Sequence, residues 1–242
     1  MSVFYILLAG FLLGLRHALD ADHLAAIASL VTRSRSTGET IRTGLAWGIG
    51  HTITLFMVCG IILTFGVDFP DRIAGALEFL VGTMLVCLGG EVLRRLIKER
   101  LHVHGHKHAA DKYHIHFHSH EAGANHTAAA HEHDHISVLP RRALAIGLMH
   151  GLAGSAALLL IVVADQASTL TALVYVALFG FGSMIGMGLL SFVIALPMMS
   201  AARAGNLSFK GLNATIGTGT AALGLFLMYD SAPAVTSLLS LA

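Results

Sequence analysis

The sequence predicts an all-α, polytopic membrane protein with six transmembrane helices arranged as an inverted 3+3 repeat. Of its 242 residues, 55% are hydrophobic and only 12% are charged, and the mean hydropathy of +0.73 lies well above that of soluble domains. The apolar runs are continuous rather than alternating, which favours helices over a barrel. Runs long enough to cross about 30 Å of hydrocarbon occur at residues 3–31, 43–66, 72–96, 141–164, 170–197 and 212–230.

The first run carries a group of ionisable residues in the stretch "GLRHALDADHLAAI". They are Arg16, His17, Asp20, Asp22 and His23. Such groups are costly inside a membrane unless they are paired, hydrated or bound to metal, so they indicate function. On a regular helix Arg16 can pair with Asp20, but His17 lies about 140° from Asp22 and about 120° from His23. We therefore favour a helix that unwinds within this motif, so that its polar groups can converge. The alternative is that these groups reach different neighbours and only some of them bind the same ion.

Two further histidines lie deep in predicted helices. His51 stands in "WGIGHTIT" of the second run and His150 in "GLMHGLAGS" of the fourth, each roughly 12–20 Å from the nearest predicted membrane face. Imidazole and carboxylate together suit borderline ions such as Ni²⁺, Co²⁺ or Zn²⁺, whereas Mg²⁺ and Ca²⁺ prefer oxygen ligands alone. The candidate metal ligands are His17, Asp20, Asp22, His23, His51 and His150.

An internal repeat relates the two halves of the chain. "GLRHAL" matches "GLMHGL", "GIGHTI" matches "GFGSMI" and "VGTMLVCLG" matches "IGTGTAALG", at offsets of 133, 132 and 135 residues. Since each half contains three predicted helices, the second half must insert upside down. Transporters built this way bind substrate near the midplane, where the halves meet. We divide the chain into a first repeat (1–96), a connecting loop (97–140) and a second repeat (141–242).

The loop at 97–140 differs from the rest of the chain. It contains twelve of the sixteen histidines and little apolar periodicity, which is typical of a disordered tether. We favour metal capture or buffering as its role. The alternatives are a solvated linker of biased composition and a pH-responsive segment, since imidazoles titrate near ~6.5.

The distribution of basic residues predicts the orientation. One side of the predicted helices carries Arg33, Arg35, Arg42, Arg94, Arg95, Lys98, Arg100, Arg141, Arg142, Arg203 and Lys210, and the other carries Arg72 with Asp68, Asp71, Asp165 and Asp230. By the positive-inside rule the first, here called the Arg-rich side, is cytoplasmic. The loop is then cytoplasmic and both termini face outward. We expect no nucleic-acid partner. Cys59 and Cys87 are expected to be small core residues without a disulfide.

The charged motif resembles a known family signature. His17, Asp22 and His23 form HxxxxDH, similar to the signature of the nickel/cobalt transporter family, and "GIGHTITLF" around His51 resembles its second signature. The resemblance implies Ni²⁺ or Co²⁺ as substrate, no tightly bound cofactor and a bacterial or archaeal cytoplasmic membrane. The chain looks like a shorter relative of the urease-accessory type, which implies a nickel chaperone or urease or hydrogenase maturation proteins as partners. The acidic signature of the longer members is missing from the second half, where His150 is a candidate substitute.

The leading hypothesis is a secondary importer of Ni²⁺ or Co²⁺, not an enzyme. No GxxxxGK[ST] nucleotide loop occurs, so no partner ATPase is required. An exporter of the same ions is the nearest alternative, and a membrane metal sensor would need the loop but no flux. An intramembrane hydrolase using Ser155 is disfavoured, because GxSG and HExxH are absent.

Overall fold

The computed structural model describes residues 3–34, 36–66, 70–98, 102–107, 113–118, 140–152 and 168–240. These residues form the helices α1 (Val3–His17), α2 (Ala21–Val31), α3 (Thr37–Phe65), α4 (Asp71–Lys98), α5 (Arg141–His150), α6 (Thr169–Ala204) and α7 (Asn206–Leu239). Two short strands, β1 (His102–Lys107) and β2 (Tyr113–His118), lie between α4 and α5. The membrane-spanning part is therefore helical, as predicted.

The described helices account for four to five of the six predicted spans. Helices α3, α4, α6 and α7 are each long and apolar enough to cross a membrane. Helices α1 and α2, which are bent by 54° at their break, make a fifth if the pair is one broken span rather than a re-entrant loop. Helix α5 covers only the start of the predicted run at 141–164, and residues 153–167 lie outside the described part of the chain. The chain is a membrane protein, and the described part contains fewer spans than the six predicted.

The predicted unwinding of the first helix is confirmed. Helix α1 ends at His17, and α2 begins at Ala21 after Asp20, whose backbone is extended with φ −61° and ψ 149°. The two helices therefore leave the break in different directions. Polar residues that diverge on one regular helix are brought to a common place by this change of direction.

The helices of the two halves pack through matched glycines. Helix α1 packs against α6, and α5 packs against α3. A Cβ atom added to Gly14 would lie 2.0 Å from the carbonyl oxygen of Phe179, and one added to Gly147 would lie 2.0 Å from that of Trp47. The two contacts are related by the repeat offsets of 133 and 132 residues. Only glycine allows backbones to approach this closely.

Helices α4 and α7 cross in the same matched manner. An added Cβ would lie 2.8 Å from the Gly224 oxygen at Gly82, and 2.5 Å from the Gly217 oxygen at Gly89. In the repeat alignment Gly82 corresponds to Gly217 and Gly89 to Gly224. The two halves thus contribute equivalent glycines to this crossing.

One expectation from the sequence is corrected, and another stays a prediction. Within the loop at 97–140, β1 and β2 pair as an antiparallel ribbon, and the period-two alternation of Tyr113, Ile115 and Phe117 with histidines is a strand pattern. Apart from residues 97, 98 and 140, the rest of the loop lies outside the described residues, and its description as a disordered tether stays a prediction. Cys59 is buried as expected, whereas Cys87 is exposed rather than in the core.

Candidate metal centre

Four histidines from four helices converge beside the break in the first helix. His17 is the last residue of α1, His23 lies in the first turn of α2, His51 is in the middle of α3, and His150 is the last residue of α5. The ring centroid of His23 lies 4.3 Å from that of His17, 5.1 Å from His51 and 4.4 Å from His150. His23 therefore stands at the centre of the group.

The potential ligand atoms form two sets that share His23. One set comprises His17, His23 and His51, the other Asp22, His23 and His150, and the ligand atoms of each lie within 4.8 Å of one another. His23, His51 and His150 are almost fully buried, with at most 2% of each residue exposed. A metal ion between these atoms would form metal–nitrogen bonds of about 2.0–2.1 Å. The ligand atoms would have to move only slightly closer to one another to reach that distance.

Two carboxylates hold three of the imidazoles. Asp22 Oδ1 lies 3.0 Å from His23 Nδ1, and Asp22 Oδ2 lies 3.1 Å from His150 Nε2. Asp20 Oδ2 lies 2.6 Å from His17 Nδ1. When each of these nitrogens carries the proton and donates to its carboxylate, the other nitrogen of the same ring keeps its lone pair. This is the arrangement that prepares histidines for metal binding.

The remaining imidazole nitrogens have no hydrogen-bond partner within the described ranges. They are His17 Nε2, His23 Nε2, His150 Nδ1 and both nitrogens of His51. A buried polar atom without a partner costs about 1–3 kcal/mol. Five such atoms in one small group are unfavourable for folding alone, and a bound cation would satisfy those that carry lone pairs.

All six sequence-predicted candidates lie at or beside this centre, but Asp20 has a different neighbour from the one considered. Asp20 contacts His17 rather than pairing with Arg16. Arg16 is exposed, and no ion pair to it is found among the described residues. The side chain of Asp20 is 54% exposed and that of Asp22 31% exposed, so both carboxylates stand at the edge of the buried imidazoles.

Sequence reasoning missed two aromatic residues that border the centre. The ring centroid of Trp47 lies 5.2 Å from that of His23 and 5.3 Å from that of His150. Phe179 lies 5.3 Å from His17 by the same measure. Trp47 and Phe179 are 132 residues apart, which is a repeat offset, so the internal repeat could have identified this pair from the sequence. Their rings form aromatic walls beside the imidazoles.

The same offset relates His51 to Ser183. Ser183 is fully buried, and its hydroxyl has no hydrogen-bond partner in the part of the chain that the structure describes. The second half thus carries a small polar residue where the first half carries an imidazole. The centre is built from related positions but is not symmetric.

A second polar group joins three segments at the Arg-rich side. Glu91 on α4 forms ion pairs with Arg33, which follows α2, and with Arg142, in the first turn of α5. We call these three residues the Glu91 cluster. A cavity of about 140 Å³ lies beside it, and its walls include Leu30, Leu88 and Ala143. Helix ends from both halves are therefore held together by one carboxylate.

One curated relative covers most of the chain, and two others cover shorter parts of it. The urease accessory protein UreH of Bacillus sp. (strain TB-90) is 30% identical over 198 residues, covering 82% of this chain and 79% of the relative. A high-affinity nickel transport protein of Cryptococcus neoformans is 32% identical over 99 residues, 36% of this chain and 20% of the relative. The hydrogenase nickel incorporation protein HupN of Bradyrhizobium diazoefficiens is 43% identical over 61 residues, 25% of this chain and 16% of the relative.

The chain belongs to the nickel/cobalt transporter family. It is a relative of the urease-accessory type, as its overall similarity to UreH shows. No family model matches the chain, and no solved structure matches it either. Within this nickel/cobalt transporter relative, His17, Asp22 and His23 of the signature motif are brought together with His51 and His150 from distant parts of the sequence.

Proposed function

We propose that the chain is a secondary transporter that imports Ni²⁺ or Co²⁺ through the centre formed by His17, His23, His51 and His150. The observation that carries the proposal is the convergence of four imidazoles with unpartnered nitrogens in a buried place. A relative named as a nickel transport protein and another named for nickel incorporation support nickel as the substrate.

The ligand chemistry supports borderline divalent ions. An ion entering the centre exchanges hydration water for imidazole nitrogens, with Asp22 supplying negative charge beside them. Imidazole-rich sites suit Ni²⁺, Co²⁺ and Zn²⁺, whereas Mg²⁺ and Ca²⁺ require more oxygen ligands. The C-terminal ends of α1 and α5 both lie at the centre, and helix C-termini favour cations.

We further propose that the two halves form an inverted repeat whose relative movement exposes the centre to each side in turn. Matched glycine contacts at nearly constant sequence offsets support this arrangement. The ligands come from both halves, because His150 belongs to the second and the other three histidines to the first. Movement between the halves would therefore open the ligand shell and release the ion.

The Glu91 cluster would close the cytoplasmic side of this pathway. Arg142 and His150 lie at opposite ends of α5, about 12 Å apart at 1.5 Å per residue. One continuous apolar core contains Trp47, which contacts the imidazoles, and also Leu30 and Leu88, which line the cavity. A hydrated ion cannot cross such a layer cheaply. The ion pairs would hold the layer closed until the halves move.

The membrane potential supplies the energy in this proposal. Two positive charges moving inward down 100 mV release roughly 4.6 kcal/mol, which corresponds to an accumulation of more than a thousandfold. Such a transporter belongs in the cytoplasmic membrane, with the Arg-rich side inward. Nickel chaperones or maturation proteins for urease or hydrogenase would receive the ion, in line with the names of two relatives.

Flux into proteoliposomes tests the proposal. Purified protein is reconstituted in one orientation, and Ni²⁺ and Co²⁺ uptake is measured with and without an inside-negative potential. We expect uptake that the potential increases, and that His23→Ala and His51→Ala abolish. His126→Ala, the same change in the loop, serves as the matched control and should leave uptake intact. Full uptake by both centre variants would refute the site. Outward flux of Ni²⁺ or Co²⁺ against the membrane potential would favour an exporter.

A further inference from the structure

Ser183 on α6 carries a buried hydroxyl that does nothing for the packing of its helix. It is fully buried, and its oxygen has no hydrogen-bond partner among the described residues. Ser191, about two turns further along the same helix, is equally buried but donates to the Met187 carbonyl oxygen at 2.7 Å. A buried polar group without a partner lowers stability. The hydroxyl of Ser183 therefore has a cost that alanine would avoid, which indicates a role other than folding.

The contacts of α6 with the first helix place this serine at the level of His17. An added Cβ on Gly14 would lie 2.0 Å from the Phe179 carbonyl oxygen, and one on Gly186 would lie 2.7 Å from the Ala18 side chain. The serine falls between these two contacts on α6, and His17 falls between them on the other segment. The serine also follows Phe179, whose ring lies 5.3 Å from that of His17, at the i, i+4 spacing of residues that share a helix face. Its hydroxyl therefore belongs to the face of α6 that borders the centre.

The contacts of α6 with α3 place the serine at the level of His51 as well. An added Cβ on Gly48 would lie 3.0 Å from the Met184 Cα atom, and one on Gly180 would lie 2.5 Å from the Thr52 side chain. The two helices are antiparallel, and both the serine and His51 fall between these contacts. Neither ring nitrogen of His51 has a hydrogen-bond partner within the described ranges. Unpartnered polar atoms from both halves of the chain thus lie at one level of the centre.

We infer that Ser183 is a specificity-determining residue of the metal centre, an inference that rests on the proposed function. Its hydroxyl holds one water molecule on the bound ion, and this water is an oxygen ligand beside the imidazoles. No hydrogen bond joins the hydroxyl directly to an imidazole of the described chain, so a single water is the simplest bridge. Buried waters typically satisfy polar groups that otherwise lack partners.

An oxygen ligand changes which ion the centre prefers. Zn²⁺ is usually held by four ligands in tetrahedral geometry, and imidazoles alone can supply all four. Ni²⁺ favours tetragonal sets that combine nitrogen and oxygen ligands. The water held by Ser183 therefore favours Ni²⁺ over Zn²⁺, whereas a centre without this hydroxyl keeps only the ligand set that suits Zn²⁺.

Ser183→Ala tests the inference, with Ser191→Ala as the matched control. Both are made in the full-length chain with its twelve loop histidines replaced by glutamine, so that the centre is measured alone. Competition with a chelating dye in detergent gives the affinities for Ni²⁺ and Zn²⁺. We expect Ser183→Ala to weaken Ni²⁺ binding by about tenfold or more, the usual effect of losing an outer group that supports a metal ligand, and to leave Zn²⁺ binding nearly unchanged. Ser191→Ala should leave the ratio of the two affinities as it is in the parent chain.

Two further measurements separate this role from a structural one. X-ray absorption of the bound Ni²⁺ should show one oxygen ligand fewer in Ser183→Ala. The metal-free variant should melt no lower than its parent, because the removed hydroxyl had no partner in the described structure. An unchanged preference for Ni²⁺ over Zn²⁺, or an equal loss in Ser191→Ala, would overturn the inference and leave the proposed transport intact. A parent chain that binds no Ni²⁺ at the centre would overturn the proposed function together with this inference.

Discussion

At the scale of single residues, Asp22 connects candidate ligands from both halves of the chain. Its two oxygens lie within hydrogen-bond distance of His23 on α2 and His150 on α5, so one carboxylate orients two imidazoles. Within the described ranges, the Asp20 carboxylate has a single hydrogen-bond partner, His17. The two acids of the motif therefore differ in the number of imidazoles that they orient, although they are close neighbours in the sequence.

Replacing Asp22 by asparagine should weaken Co²⁺ binding by about 10- to 100-fold, the usual effect of losing a group that orients metal-binding histidines. The amide has one acceptor oxygen and cannot accept from both rings. Asp20→Asn is the matched control and should have a smaller effect, because it concerns one imidazole. Competition with a cobalt-sensitive dye measures both affinities. Equal affinities in the two variants would contradict the assigned role of Asp22.

Residue identities at the centre were predictable from the sequence, but their partners were not. Ionisable groups inside an apolar run are easily recognised in a sequence, which is why His17, His23, His51 and His150 were predicted as candidate ligands. Trp47 and Ser183 carry no charge and resemble ordinary core residues. Whether Asp20 meets Arg16 or His17 depends on the path of the chain through the break, which residue spacing on a regular helix does not describe.

At the scale of helices, close packing at glycines holds the ligand-bearing ends in place. Helices α1 and α5 each end in a candidate ligand histidine, and each crosses its neighbour at a glycine in van der Waals contact with backbone. A displaced helix end would move its histidine away from His23. The positions of the candidate ligands thus depend on glycines, which have no side chain that could bind a metal.

Gly14→Ala and Gly147→Ala should each destabilise the fold by about 1–3 kcal/mol, the typical cost of overpacking. Each added methyl would lie 2.0 Å from a backbone oxygen, and backbone cannot rotate away. Gly90→Ala is the control, since nothing lies within 4 Å of its added Cβ. Thermal unfolding in detergent measures the three variants. A melting temperature for Gly14→Ala as high as that of Gly90→Ala would show that α1 does not pack as described.

The proposed role of the Glu91 cluster in closing the pathway is tested by how fast a labelling reagent reaches the apolar core. Ala26 is fully buried in that core, and Ala26→Cys in a chain without other cysteines reports its exposure to a membrane-impermeant maleimide. Glu91→Gln removes the charge that two arginines share, and exposed ion pairs contribute about 0.2–1 kcal/mol each. We expect labelling from the Arg-rich side to become several-fold faster. Arg94→Gln, a change of a neighbouring exposed charge, should leave labelling slow, and equal rates in both would exclude the cluster as a gate.

At the scale of the whole molecule, the sequence correctly predicts the helical membrane fold and the break in the first helix, whereas the inverted six-helix repeat stays a prediction. Composition and the length of the apolar runs predict the helical membrane fold, and the angular positions of His17 and Asp22 predict the break. The ribbon in the loop was missed because charge and histidine content masked its alternation. The Glu91 cluster was missed because its arginines lie 58 and 51 residues from Glu91 in sequence.

X-ray absorption of Co²⁺ bound to a chain whose twelve loop histidines are replaced by glutamine tests the central claim most directly. The account predicts one ion per chain with a first shell dominated by imidazole nitrogens at about 2.0–2.1 Å, a shell that loses imidazole scattering in both His23→Ala and His150→Ala. A shell of oxygen ligands alone, or one unchanged by either substitution, would contradict the claim that imidazoles from both halves of the chain bind the transported ion.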